Sequence, residues 1–311
     1  MLKTIPVNSM YVMLVVAGLL VLASLIVYVI KTSNKDKDYT ELQQRMTSWW
    51  WMTGLLFVFL ILGGNYSVAF FGFVSFLALK EFFSILPTRQ TDRNVLFWAY
   101  LSIPLQYYWV SIGWYGMFII FIPIYMFLFI PMRMVIKGEV DGFIKAAGII
   151  QWSVMLSVFS LSHIAYLLVL PVHNDLAGGT GLVLYLLFMT QLNDISQYVW
   201  GKLFGRRRII EKVSPNKTVE GFLGGLATIT PVSSVLAPYL TPLNMLEGVV
   251  AGLIIGSAGF IGDVVISSVK RDLKIKDSGN MIPGHGGILD RMDSLLYTAP
   301  LFFHYVYYLY Y

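Results

Sequence analysis

Residues 94–132 read NVLFWAYLSIPLQYYWVSIGWYGMFIIFIPIYMFLFIPM, thirty-nine positions without one Asp, Glu, Lys or Arg. One helix crossing a hydrocarbon core of roughly 30 Å uses about 20 residues. The run is too long for one crossing and too apolar for a loop in water. Ser111-Ile112-Gly113 offers a break near its middle, so it reads as two spans. Residues 46–79 repeat the pattern, with Gly63-Gly64-Asn65 as the break. The other uncharged runs cover residues 9–30, 146–174, 176–193, 221–246, 248–262 and 294–311. Ten spans result, ending near residues 30, 63, 80, 110, 132, 170, 193, 240, 268 and 311, provided the run from Gly248 continues through Asp263.

Composition agrees. Charged residues are 13% of the 311, against about 25% in a soluble domain. Hydrophobic residues reach 57% and mean hydropathy is +0.70. A soluble fold of this size would lack the charged surface to cover itself. The absence of cysteine excludes a disulfide scaffold, an iron–sulfur cluster, a thiolate zinc site and a cysteine nucleophile.

Basic residues test the ten-span reading independently. Four lie in 31–48, three in 80–93, three in 133–145, six in 194–218 and five in 269–293; only Lys3 falls elsewhere. These are alternate connections, which the positive-inside rule assigns to the cytoplasm. The expected fold is all-α: a polytopic integral membrane protein of about ten transmembrane helices with both termini on the non-cytoplasmic side. The net charge of +5 then reflects loop orientation and not nucleic acid. The first run reads as an anchor, since no small-residue cleavage pattern follows it. Asp175 and Glu247 are the only acidic residues assigned to the outer face, so no extracellular domain is expected.

Residues 1–170 read as six N-terminal spans whose charges are solvated connectors, with Trp49-Trp50-Trp51 as a headgroup-level anchor. Gly248, Gly252 and Gly256, like Gly221 and Gly225, have the spacing of close helix packing. Residues 171–311 read as the catalytic region, with cytoplasmic loops 194–218 and 269–293. In the first loop, Asp194 is followed by Arg206-Arg207-Arg208 and by Ser214-Pro215-Asn216-Lys217-Thr218-Val219-Glu220-Gly221. Basic side chains, hydroxyls and glycines interleave as in a phosphate site or a solvated basic loop; the glycine frame of a P-loop is missing.

Around the second loop, Asp263 lies on a span, where an ionised carboxylate costs several kcal/mol and needs a partner. Helical spacing puts Ser267, Lys270 and Arg271 on its face. Asp290, Arg291 and Asp293 open the last span. Carboxylates and fixed cations thus converge at one membrane depth. Oxygen ligands without clustered His or Cys suit Mg²⁺, and the set has the chemistry of phosphoryl-type transfer. Ion pairs stabilising helix ends explain the same residues. His163, His173 and His304 read as incidental; His285 lies in a glycine loop.

Ser267-Ser268-Val269-Lys270-Arg271, then Lys276-Asp277-Ser278-Gly279, then Ile282-Pro283-Gly284-His285-Gly286-Gly287-Ile288-Leu289-Asp290-Arg291-Met292-Asp293 resembles the 27-residue signature of the CDP-diglyceride synthetase (phosphatidate cytidylyltransferase) family at every position. Ser214 to Gly225 and the Asp194, Tyr198, Gly201 stretch are also similar to that family. Ser196-Gln197 departs from the small residues many members carry there, a difference that bears on lipid choice or family branch. Motif similarity covers roughly residues 176–311.

The resemblance implies an integral membrane enzyme that uses CTP, phosphatidate and Mg²⁺ to form CDP-diacylglycerol and pyrophosphate. It implies Asp263 and Asp290 as metal-binding carboxylates, with Asp194 and Asp293 as helpers and one or two cations. Asp263, Asp290, Lys270 and Arg271 are the expected catalytic set. Ser214, Lys217, Thr218, Glu220, Ser267, His285, Gly286, Gly287 and Arg291 are expected to bind substrate. The implied partners are CTP, phosphatidate or a related lipid phosphate, and membrane lipid. No nucleic acid is expected, and a homodimer is compatible. The implied location is a bacterial inner (cytoplasmic) membrane with the site facing the cytoplasm. A relative acting on another lipid phosphate is the alternative, and a transporter or flippase the reading from a different class; no inverted repeat is visible to support the latter.

Overall fold

The computed structural model describes residues 5–33, 38–284 and 286–311. His285, expected to shape the nucleotide loop, lies outside the described residues. Ten long helices follow one another: α1 (Val7–Ser33), α2 (Thr40–Leu62), α3 (Gly64–Ile85), α4 (Arg93–Ser111), α5 (Tyr115–Val135), α6 (Phe143–Val169), α7 (Gly178–Phe204), α8 (Val219–Leu240), α9 (Met245–Asp272) and α10 (Leu295–Tyr310). Seven of them are long and apolar enough to cross a membrane by length and composition; α4, α7 and α10 complete the bundle. No strand occurs among the described residues. The chain is a polytopic all-α membrane protein, as expected.

Both expected breaks are present, and each is made by glycine. α2 ends and α3 begins across Gly63 and Gly64, with φ of 64° and 53°. α4 stops before Gly113, at φ 66°. These left-handed values cost an L side chain energy but leave glycine unstrained. Several helices run on past their expected ends, among them α3 to Ile85, α7 to Phe204 and α9 to Asp272. The first part of each "loop" is therefore a helical extension, which carries Asp194 and Lys270 on rigid backbone.

Burial is uneven. Only 6% of the central window of α1 is enclosed by protein, against 72% of α6. Exposed Leu14, Leu19, Leu22 and Leu25 on α1 are the surface a lipid solvent would cover. The glycine ladders do what their spacing implied. A methyl at Gly248 would stand 2.7 Å from Ala237 Cβ, and one at Gly252 2.8 Å from Ser233 Cβ, so α8 and α9 pack too closely for anything larger.

The two ends of the bundle differ. At one end Ser9 Oγ donates to Ala177 O (2.7 Å), and Tyr311 Oη donates to Pro171 O (2.7 Å). The start of α1 and the end of α10 thus share this face. Glu247 closes the capping box of α9 with Asn244 and accepts from Tyr310 Oη (2.5 Å), a structural use. At the other end the basic connections meet: Arg45 Nε donates to Gly284 O (3.2 Å), and Arg271 Nε to Val213 O (3.1 Å).

Candidate active site

The residues singled out in the sequence gather at this basic end, where the structure divides them between two neighbourhoods. The first surrounds Asp263. Its Oδ2 lies 2.5 Å from Lys217 Nζ, and its Oδ1 accepts from Ser267 Oγ (3.2 Å), the residue one helical turn away on α9. Asp194, on the extension of α7, accepts from Ser294 Oγ (3.1 Å). Asp293 accepts only from the adjacent Ser294 N (2.7 Å) among the hydrogen bonds described. Burial, and after it the charges of Asp263 and Asp194, push the Asp293 pKa well above the ordinary carboxylate value. One ammonium in direct contact does not serve three neighbouring acids, so this neighbourhood is short of positive charge, and burial holds Asp194 and Asp293 toward their neutral forms.

The second neighbourhood surrounds Asp290, on the single helical turn Leu289–Met292. Its Oδ1 accepts from Lys270 Nζ (2.8 Å). Its Oδ2 accepts from Ser278 N (2.8 Å), Ser278 Oγ (2.9 Å) and Gly287 N (3.0 Å). Burial opposes ionisation, but the Lys270 ammonium and these donors outweigh it and hold the Asp290 pKa below its ordinary value. Gly286 takes φ 79°, and a side chain there would crowd Asp290 Oδ2, which accounts for glycine in the loop.

An open cleft of about 880 Å³ joins the two neighbourhoods. Asp194, Asp277, Asp290, Arg291 and Asp293 line it, with Arg45 and Trp49 of α2 and Tyr198 of α7. Arg291 Nε is buried and finds no hydrogen-bond acceptor in the protein. Lys217, Asp263, Ser267, Lys270 and Arg271 are not in the lining; of these, Lys270 is paired directly to a lining residue, Asp290.

Other expected binding residues have structural partners. Glu220 accepts from the amides of Arg206 (2.9 Å) and Arg207 (3.1 Å), which folds the basic loop back on the start of α8. Thr218 caps α8 by accepting from Gly221 N (3.1 Å). Arg271 is turned to the Val213 carbonyl, so it braces the loop that contains Ser214. Ser196 and Gln197 are buried, and Gln197 Nε2 donates to Asn193 Oδ1 (3.0 Å). They belong to helix packing and do not line the cleft.

The expectation of solvated charges throughout residues 1–170 needs correction. Glu81, in the last turn of α3, is buried against the glycine loop and accepts from Ile288 N (2.9 Å) and Leu289 N (3.1 Å). Asp92 is fully buried and paired to Arg89 (2.6 Å). From α2, Ser48 Oγ donates to Pro283 O (2.7 Å). The division at residue 170 therefore does not bound the site. Glu81 had one faint signal in the sequence: it stands just past a span end, where a carboxylate needs either water or a donor.

Among the described residues, no three Asp, Glu or His side chains already form a closed metal site. Magnesium does not require one: it is commonly held by one or two carboxylates with water and substrate phosphates. Asp194, Asp263 and Asp293, oxygen donors with few protein partners beside an open cleft, fit that chemistry.

Comparison with known proteins fixes the lineage. The pattern of the "Cytidylyltransferase family" matches residues 43–309, nearly the whole bundle. The chain belongs to the cytidylyltransferase family. Family membership makes it a membrane-embedded nucleotidyltransferase-type enzyme. "Uncharacterized protein YnbB" of Escherichia coli (strain K12) is 43% identical over 292 residues, 94% of this chain and 96% of that one. A phosphatidate cytidylyltransferase of Staphylococcus aureus (strain COL) is 37% identical over 157 residues, 49% of this chain and 59% of that enzyme. One from Synechocystis sp. is 47% identical over 114 residues, 36% of this chain and 39% of that enzyme. The chain thus spans well under two thirds of the curated phosphatidate enzymes it matches.

Proposed function

We propose that the chain is a phosphatidate cytidylyltransferase, converting CTP and phosphatidate to CDP-diacylglycerol and pyrophosphate at the cytoplasmic face of a bacterial inner membrane. The observation that carries the reading is the cleft at the basic end of the bundle. It brings Asp194, Asp290 and Asp293 together with Arg291, whose buried Nε has no acceptor in the protein, so that groups suited to a hard cation and to an anion line one space. The full signature around it and the named relatives support the choice of base and lipid.

Phosphatidate is anionic at neutral pH, so its phosphate oxygen needs alignment and charge neutralisation more than a strong base. That oxygen attacks the α-phosphorus of CTP, the bond from this phosphorus to the β-phosphate bridge breaks, and pyrophosphate leaves. Asp263, with Asp194 and Asp293 beside it, would hold Mg²⁺, which supplies Lewis-acid stabilisation of phosphate charge when bound; Asp290, its oxygens taken by Lys270 and the loop donors, would keep the neighbouring groups in place. Lys217 and Lys270 bring ammonium groups beside Asp263 and Asp290. Arg291, in the lining of the cleft, offers its guanidinium to a phosphate oxygen there. CTP would arrive from the cytosol, and the lipid headgroup from the bilayer level.

A second reading, a cytidylyltransferase for a different lipid phosphate, is favoured by one fact: the relative matching along 94% of the chain has no assigned substrate. Purified protein with CTP, Mg²⁺ and a panel of lipid phosphates separates the two. Pyrophosphate release with phosphatidate supports the main reading. Release with another acceptor alone supports the second, and none with any acceptor contradicts both.

A further inference from the structure

We propose that Glu81 of α3 is a positioning residue for the reaction, an anionic post that fixes the glycine loop and through it Asp290. The proposal rests on the cytidylyltransferase reading. It concerns a residue outside the signature, in the part of the chain that carries no catalytic motif.

Residues 278–279 and 286–290 surround two carboxylates. Asp290 takes Ser278 N, Ser278 Oγ and Gly287 N on one oxygen. Glu81 takes Ile288 N on Oε2 and Leu289 N on Oε1, and Ser278 Oγ touches it as well. The amides of Ile288 and Leu289 open the turn that carries Asp290 and Arg291, so Glu81 satisfies donors that a helix start leaves free. The loop is shaped to this partner. A side chain at Gly279 would come within 3.0 Å of Glu81 Oε2, and one at Gly287 would overlap Oε1. Glycine at both positions lets the loop close over the carboxylate. Ser278 contacts both acids, so a shift of Glu81 is passed to the Asp290 cradle without an intervening flexible segment.

The geometry gives α3 a reason to be buried deep in the bundle while its last turn reaches the basic end. Glu81 is not in the lining of the cleft and touches no position available to substrate. Its effect is exerted through the backbone it holds. Partners of this kind, which orient a ligating or reacting residue, typically cost 10–100-fold in activity or metal affinity when removed.

The test uses the full chain in detergent or lipid, with E81A, E81Q and G287A. Steady-state rates give kcat and KM for CTP, and hydrogen exchange is followed at residues 288–292. E81A is expected to lower kcat by about 10–100-fold, with KM for CTP moved less than about threefold. E81Q keeps the volume and one acceptor, and is expected to fall between E81A and the parent. In E81A exchange should quicken at Ile288 and Leu289 while α8 and α9 keep their protection. G287A should lower kcat like E81A, and E81A combined with G287A should cost less than the two losses multiplied, since the methyl at 287 collides chiefly with the carboxylate that E81A removes. Parent-like kcat in E81A, or faster exchange spread evenly over the bundle, overturns the proposal. Should the parent itself transfer no nucleotide to any lipid phosphate, the functional reading fails on that result. The exchange arm and the non-additivity of unfolding midpoints then still judge the Glu81 clamp.

Discussion

Two acidic neighbourhoods meet at one cleft, and they are built in opposite ways. Asp290 has four protein donors and the Lys270 ammonium among them, so its charge is fully provided for. Asp194, Asp263 and Asp293 share one directly bonded ammonium, two hydroxyls and one backbone amide, and burial with the neighbouring carboxylates raises the pKa of Asp194 and Asp293. A saturated carboxylate is an architectural post; an undersupplied cluster is a place that a cation or a positively charged group would relieve. The difference assigns rigidity to the signature loop, and it leaves the carboxyl groups of Asp194, Asp263 and Asp293 as those the proposed cation would meet.

The largest expected effect breaks the first neighbourhood. Asp290→Ala leaves Lys270 buried without its partner and two amides unmet, at a cost of about 3–5 kcal/mol. A lowered unfolding midpoint in detergent, with activity lost alongside, is expected; an unchanged midpoint would mean the cradle contributes no rigidity. Asp263→Asn should do the reverse. It should cut CDP-lipid formation by about a hundredfold or more while the midpoint stays close to that of the parent, because removing charge relieves repulsion with Asp194 and Asp293. A variant that unfolds but transfers nucleotide at the parental rate per folded molecule would erase the contrast. Lys217→Ala should weaken CTP use by about tenfold, equal to about 1.4 kcal/mol; unchanged kinetics would return its loop to a solvated basic connection. Glu220→Gln is the smallest. It perturbs the cap on two exposed loop amides, and less than about threefold in kcat/KM is expected, near the ~1 kcal/mol of a helix cap. A larger loss would mean that Glu220 meets substrate directly.

Much of this was legible in the sequence because membranes simplify the code. Runs free of charge mark spans, Gly63-Gly64 and Gly113 mark the breaks, and basic residues in alternate connections mark one end. Asp263, Asp290 and Asp293 stood out because charges at that depth need a reason. What the sequence hid is long-range. Helical continuation through Asp194 to Phe204 looked like loop because charge begins there, and helices tolerate charge once they leave the hydrocarbon. Glu220 and Arg271 had the residue types of phosphate binders, but backbone amides and a carbonyl claim them. Glu81 is separated by 207 residues from the Ile288 amide whose hydrogen bond it accepts, so its place past a span end shows that it needs a donor but not which one. Asp92 illustrates the same limit in a purely structural setting, fully buried next to Arg89 in a connection that reads as solvated.

The central claim is that the carboxylate-rich cleft transfers a cytidylyl group to a lipid phosphate. Its most direct test follows the α-phosphorus of labelled CTP into the lipid phase, with purified parent and Asp263→Asn compared on phosphatidate and Mg²⁺. The account predicts label in a CDP-lipid with one pyrophosphate released per transfer in the parent, and no transfer above background in a folded Asp263→Asn. Label that stays in the aqueous phase with the parent, or transfer that persists undiminished in the variant, would contradict it.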